Sequence, residues 1–203
     1  GGFVALAEKL AERIRELGGR IELNAPVSTI AHREGEWHVT TPRGVVRSER
    51  VIATTALPLL ADMVRDWASP DYIRSLEQIQ YIGNVCLVLE LDRSLSKTYW
   101  LNVNDPSFPF VGIIEHTNFA RPETYGGRHI VYLSKYLPVT DTLFGLDADS
   151  FLAYALPYIQ TMFPAFRREW VVAHHLWRAR WSQPVVERFY SRLIPPTQGP
   201  RQG

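Results

Sequence analysis

Apolar residues in FVALAEKLAERIREL (3–17) recur at steps of three and four. Phe3, Leu6, Leu10, Ile14 and Leu17 share one face, Ala7 and Ala11 widen it, and charged residues fill the other side, which predicts an amphipathic helix. Gly18-Gly19 close it as a flexible C-cap. The pattern then shortens to a period of two. Residues 20–23 and 36–40 alternate, with Trp37 and Val39 on one side, and PVSTIA carries the chain between them. Gly35 and Pro42-Arg43-Gly44 mark turns, and 50–55 reads as a more buried strand because its middle is continuously apolar. Helices are predicted over 57–67 and 71–80, with Pro58 and Pro70 near their starts.

From residue 84 onward the strands lengthen. NVCLVLELD (84–92), 99–104, 110–117 and 129–137 are strand runs separated by Asp-Pro, Pro-Phe-Pro and Gly-Gly turn signals. A helix is predicted over 148–162, kinked or broken at Pro157, and another strand over 169–181. The tail has no apolar periodicity, so 195–203 is expected to lack order. The order of elements predicts an α+β fold with a mixed, largely antiparallel sheet and packed helices, not a βαβ series.

Composition narrows the functional classes. Twenty-two Lys and Arg against twenty-one Asp and Glu give a net charge of +1, so no basic field points to nucleic acid or a membrane surface. The single cysteine, Cys86, excludes an internal disulfide framework and a Cys-rich metal centre. No apolar run reaches spanning length and no signal peptide is present, so a cytoplasmic location without a membrane span is expected. The chain starts at Gly1-Gly2 without Met, which reads as a cut inside something longer.

Several groups are candidates for chemistry. His174-His175 are adjacent and would point to opposite faces of a strand, so they suit a shared metal poorly; no metal site is expected. Glu115-His116-Thr117-Asn118 follows the apolar run FVGII at a strand end, where polar residues either line a pocket or close an Asx-type turn. Cys86, between Val85 and Leu87, reads as an inert buried thiol. Tyr99, Trp100, Tyr132, Tyr136, Trp177 and Trp181 are part of an aromatic set in the second half, serving as core or as the walls of a large apolar pocket. Arg178 and Arg180 with Trp181 suit either a solvated strand end or an anionic ligand. Gly18-Gly19 and Gly126-Gly127 lack the context of a phosphate loop. Gly1-Gly2 opens a helix whose amides could face an anion, but without an upstream strand.

These segments in order resemble the flavin-containing amine oxidase and protoporphyrinogen oxidase superfamily. The resemblance rests on Gly1-Gly2-Phe3 opening a helix, the Asn24, Val27, Ile30 spacing, a Trp-containing hairpin with TPRG, and Val51-Ile52-x-Thr54 leading to Pro58. YIGNVCLVLELDRSL, FVGIIEHTNF, YGGRHIVYLSKYL, WRARWSQPVV and Ile194-Pro195-Pro196 are similar to its bacterial NAD(P)/FAD-dependent oxidoreductase branch.

The resemblance implies a two-domain flavoenzyme of which this chain is the substrate-domain part, lacking the N-terminal Rossmann βαβ. Residues 1–56 would belong to or adjoin the FAD-binding domain, 57–80 would be a helical connection, and 81–194 would form the substrate domain. Val27, Thr54, Thr55 and Ala56 are then the cofactor-side residues. Tyr99, Trp100, Glu115, His116, Asn118 and Trp181 are substrate-pocket candidates, and no catalytic residue is assigned. Lys97 and Lys135 lie in the region of the family's lysine near the flavin, without a motif that fixes either.

FAD is expected in the complete protein and not in this chain alone, because the GxGxxG turn and the carboxy-terminal Gly-rich segment are missing. The expected partners are the FAD-binding domain of the same polypeptide and an apolar small-molecule substrate. Self-association through surface left uncovered is also expected. The function read from this is part of an FAD-dependent oxidoreductase, inactive by itself. A flavin-dependent isomerase or mutase and a non-catalytic module binding a hydrophobic partner are the alternatives.

Overall fold

The computed structural model describes residues 3–201. The Gly1-Gly2 start lies outside the described residues. Contacts divide the chain into two units, one of residues Gly1–Gln80 with Val186–Gly203 and one of Tyr81–Val185. Among the described residues no helix is long and apolar enough to cross a membrane.

The first unit opens with α1 (Phe3–Glu16), where the three-four spacing predicted it. None of its residues is buried: Phe3 is 93% exposed and Leu10 57%. A meander follows, β1 (Thr29–Arg33), β2 (Glu36–Thr41) and β3 (Gly44–Ser48), paired antiparallel in that order. The expected strands at 20–23 and 50–55 do not form. A strand exists only by pairing, and the tight turn that sets Thr41 opposite Gly44 commits the next residues to β2 instead. Residues 20–23 are held by side chains: Arg43 pairs with the Glu22 carboxylate and donates to the Leu23 carbonyl at 2.8 Å. Helices α2 (Leu57–Val64) and α3 (Pro70–Glu77) are shorter than their apolar patterns. Ser69 caps α3 by accepting from the Tyr72 amide.

The core of this unit is Ile30, Trp37, Ala61, Val64, Ile73 and Leu76. Trp67 pins α2 to the sheet, its indole N–H donating to the Ile30 carbonyl at 2.6 Å. A cavity of about 470 Å³ lies beside Trp37, Val51 and Trp67. Ile194 lines it together with Pro195, Pro196, Thr197, Gly199, Pro200 and Arg201 of the tail expected to lack order, and the Arg201 guanidinium sits 5.5 Å from the Trp67 ring centre.

The second unit is built on a five-stranded antiparallel sheet in the order β5-β6-β7-β4-β8. Its strands are β4 (Tyr81–Leu91), β5 (Trp100–Asn102), β6 (Gly112–Glu115), β7 (His129–Leu137) and β8 (Val171–Pro184). The short α4 (Thr142–Gly145) and the long α5 (Ala148–Met162) lie between β7 and β8. Along β4 burial alternates: Val85, Leu87, Leu89 and Leu91 are fully buried against Phe151, Leu152, Ala155 and Ile159 of α5, while the residues between them are half-buried. Gly83 marks the approach of α4, since a Cβ there would meet the Phe144 ring at 3.0 Å.

Pro157 does not break α5, which runs through it without interruption, so of the kink or break expected the break does not occur. Proline withdraws the amide that would bond the Ala153 carbonyl. Both residues lie on the exposed side, where the carbonyl is open to solvent, and Asp147 caps the helix through the Ser150 amide.

Candidate functional site

The register of the five-stranded sheet sorts its side chains onto two faces. One face is covered by α5. The other carries Asn84, Cys86, Val88 and Glu90 of β4, and residues opposite one another in antiparallel pairs share a face. Thus Val88 stands beside Tyr132 and His175, and Ile114 and Trp100 extend that row across β6 and β5. Cys86 stands beside Ser134 and Trp177 in the next row. Trp100 is 54% exposed and Trp177 67%, in contrast to the buried leucines on the reverse. An uncovered sheet face with large aromatics is a wall that needs a ligand or another piece of protein against it.

Three of the substrate-pocket candidates border this wall. Trp100 lies on it, with its indole N–H donating to the Asn102 side-chain oxygen at 2.8 Å. Tyr99 packs against Phe119, ring centres 5.5 Å apart. His116 sits edge-on to Tyr132 at 5.9 Å and shares a 2.7 Å hydrogen bond between Nε2 and the Tyr125 hydroxyl. Burial, with the neighbouring Tyr125, Cys86 and Tyr99, raises the Tyr132 phenol above its ordinary value, so it stays neutral. Burial also pushes the Cys86 thiol up to about 11, which suits an inert thiol.

Glu115 and Asn118 do other work. Glu115 projects to the opposite side of β6, is 1% exposed, and accepts from Ser94 Oγ at 2.7 Å, the Leu95 amide at 3.0 Å and the Ser96 amide at 2.6 Å. Asn118 donates to the Ser96 and Thr98 carbonyls at 2.9 and 3.1 Å. Together they clamp the loop leading into β5, a segment remote in sequence, rather than closing a local Asx-type turn. Thr117 accepts from the Ile130 amide, tying the same segment to β7. Trp181 stands apart from the group, edge-on to Tyr81 at 5.7 Å.

The basic candidates are distributed with equal clarity. Lys135 pairs with Val85 on the α5 side, where its ammonium donates to the Phe108 carbonyl at 2.5 Å. Arg178 pairs with Val85 from β8 and donates to the Phe144 carbonyl at 2.6 Å. His174 and His175 do point to opposite faces, toward Asp149 and Glu90 respectively. No cluster able to hold a metal ion occurs among the described residues. The sequence reading missed Tyr125, whose only signal was its position before the Gly126-Gly127 turn.

The cofactor-side candidates all belong to the first unit. Val27 is half-buried and packs on the same core as Val51. Thr54 and Thr55 are exposed, and Ala56 is the N-cap of α2, its carbonyl accepting from the Leu59 and Leu60 amides. This donor set is neutral, and residues 51–60 contain no Lys or Arg. These residues offer no charge to a dinucleotide's diphosphate, while Arg50 precedes the segment and Arg201 lines one cavity with Val51 and Ala53.

The chain is thus an α+β fold of antiparallel sheets with packed helices. The sequence over residues 1–199 matches the flavin containing amine oxidoreductase family, and the chain belongs to it. The family name implies a flavin in the complete protein.

Solved structures share the fold. An Exiguobacterium sp. 255-15 protein provisionally assigned as a protoporphyrinogen oxidase superposes with TM-score 0.72 at 17% identity, over 92% of this chain and 41% of that one. An oxidoreductase from Methanosarcina mazei follows with TM-score 0.64 at 20% identity, over 85% of this chain and 41% of that one. A reduced UDP-galactopyranose mutase gives TM-score 0.64 at 14% identity, over 83% of this chain and 37% of that one. No curated protein is a significant match. The chain therefore spans about two fifths of the length of these structures.

Proposed function

We propose that the complete protein is an FAD-dependent oxidoreductase and that this chain supplies the substrate wall and part of the cofactor's surroundings. The observation that carries this reading is the aromatic face of the five-stranded sheet opposite α5, in a chain of a flavin-containing family. Bound flavin would supply the acceptor for a hydride equivalent from a C–H or C–N bond. The residues of this chain orient an apolar substrate and exclude water: Trp100, Tyr132 and Trp177 give flat contact area, and the clamped 94–98 loop fixes the edge on which Trp100 stands.

In this reading Val27, Thr54, Thr55 and Ala56 lie along the uncharged parts of FAD. Residues 1–56 adjoin the FAD-binding part, 57–80 connect, and the substrate part begins at residue 81. The chain alone is inactive in this reading, because it carries no GxGxxG turn to hold the diphosphate. Its place of work is the cytoplasm.

The product of the complete gene tests this directly. It is expected to purify with flavin absorbance, and Trp100→Ala is expected to raise KM for any substrate that bleaches the flavin, with less effect on kcat. A colourless full-length protein that takes up no FAD would overturn the proposal.

The likeness to a mutase favours a second reading, non-oxidative isomerisation on reduced flavin. Such a nucleotide-sugar substrate needs arginines at its diphosphate, and Arg178 is committed to Phe144 on the helix-covered side. Oxidation of an apolar substrate is the better supported of the two.

A further inference from the structure

The five-stranded sheet ends in two unlike edges. β5 has three residues, too short a row of free main-chain groups to receive another strand, whereas β8 has fourteen. Along an antiparallel strand the main-chain bonds alternate between one neighbour and the other, so a single bond fixes the phase of the whole ladder. The Glu115 amide donates to the Tyr99 carbonyl at 2.9 Å, and following that phase through the registers of β6, β7 and β4 turns the amides of Ala173, His175 and Trp177 toward β4. The Asp92 amide, which donates to the Trp170 carbonyl at 3.0 Å, gives the same phase from the other end. His174, Leu176 and Arg178 therefore turn their amides and carbonyls outward, and no main-chain group among the described residues pairs with them. The devices that blunt an edge lie beyond this stretch, at Pro184 and at the register shift opposite Ile82 and Asn84.

The edge has a sign. Residues 171–184 contain His174, His175, Arg178 and Arg180 and no Asp or Glu. Asp149 and Glu90 already face the two histidines. Arg178 spends Nε on the Phe144 carbonyl and Arg180 lies over the Trp181 ring, so neither guanidinium has a carboxylate among the described residues. On the open face of the same strand Trp177 is 67% exposed. A strand added antiparallel would set alternate side chains opposite Leu176 and Arg178, and the intervening ones beside Trp177.

We propose that β8 is a docking edge for an extended acidic segment of another protein, added as a further antiparallel strand. Its carboxylates lie beside Arg178 and Arg180, and its apolar side chains cover Trp177. Main-chain bonds to His174, Leu176 and Arg178 supply affinity, and the guanidiniums select the sign of the partner.

The probe is a fluorescein-labelled, end-capped octapeptide of alternating Glu and Val, compared with its Lys and Val counterpart. Anisotropy reads binding and amide hydrogen exchange reads the edge. The acidic peptide is expected to bind about tenfold or more tighter than the basic one and to protect the His174, Leu176 and Arg178 amides. In antiparallel pairing its Glu amides face β8, so N-methylation of the Glu residues is expected to weaken binding about tenfold or more, and N-methylation of the Val residues to leave it unchanged. Arg178→Glu combined with Arg180→Glu is expected to invert the preference, and its binding of the basic peptide shows that the fold is kept. Where that variant fails to fold, the N-methylated pair on the wild-type chain decides.

No binding, equal binding of the two peptides, or indifference to N-methylation of Glu would overturn the proposal. Protection of the three amides that rises with chain concentration in the absence of peptide would give the edge to a second copy and overturn it as well. So would a complete gene product that refuses a peptide bound by this chain, because the rest of its own polypeptide would then occupy β8.

Discussion

At the scale of the residue, Glu115 shows how a polar side chain at a strand end becomes structural. Its carboxylate satisfies three donors of the 94–96 segment at once, and the side chain is almost fully buried. Glu115→Ala would leave the partly buried Leu95 and Ser96 amides without partners, and the expected loss is about 3 kcal/mol. Urea unfolding should report it as a lower midpoint, with faster hydrogen exchange at the Leu95 and Ser96 amides. Exchange unchanged there would mean that the clamp does not hold the loop.

Cys86 gives a prediction in pH. Its folded value is raised from 9.0 to about 11, so the folded state holds the thiol proton more tightly than the unfolded one. Stability is therefore unaffected below 9.0 and falls as pH rises through about 11. Alkylation by iodoacetamide should be negligible at neutral pH in the folded chain and rapid once denaturant is added. Sequence alone located the 115–118 motif, since polar residues ending an apolar run stand out. It could not choose which side Glu115 faces, because that depends on pairing register with β7, a long-range property.

At the scale of the element, the long periodic segments are legible in the sequence, as is β2, whereas β3 is not. The spacing of α1 and of α5, and the apolar runs of β4 and β7, carry their own signal over many residues. Alternation points to a strand at 20–23 and a continuously apolar middle to one at 50–55, yet a strand is defined by its neighbour, and β3 takes that place through a turn. Helix α1 is the opposite case: its pattern is unmistakable and its apolar face is bare, with Leu6 60% and Ile14 44% exposed. A helix of this length draws most of its stability from packing, and surface pairs such as Lys9–Glu12 add only a few tenths of a kcal/mol. The chain is therefore expected to self-associate through α1. Sedimentation equilibrium should show an average mass that rises with concentration, and a variant combining Leu6→Glu, Leu10→Glu and Ile14→Glu should stay monomeric. A wild-type chain that is monomeric at high concentration would refute the prediction.

At the scale of the whole molecule, the two hydrophobic clusters share no residue. Leu87 belongs to the one under the five-stranded sheet, and Leu76 to the one between the meander and its helices. Both are essentially inaccessible, so Leu87→Ala and Leu76→Ala are each expected to cost about 3 kcal/mol through lost transfer energy and the cavity left behind. Where packing partners are separate, the damage stays with the cluster that is cut, and losses at distant sites add. Native-state hydrogen exchange resolves this element by element. Leu87→Ala should reduce protection along β4 and β7 and leave α3 unchanged, and Leu76→Ala should do the reverse. If either substitution lowers protection in both clusters equally, the chain unfolds as one cooperative body. The wall and the cofactor-side segment would then be coupled in stability, and substitutions meant to probe the Trp100 and Trp177 face would also disturb Thr54, Thr55 and Ala56.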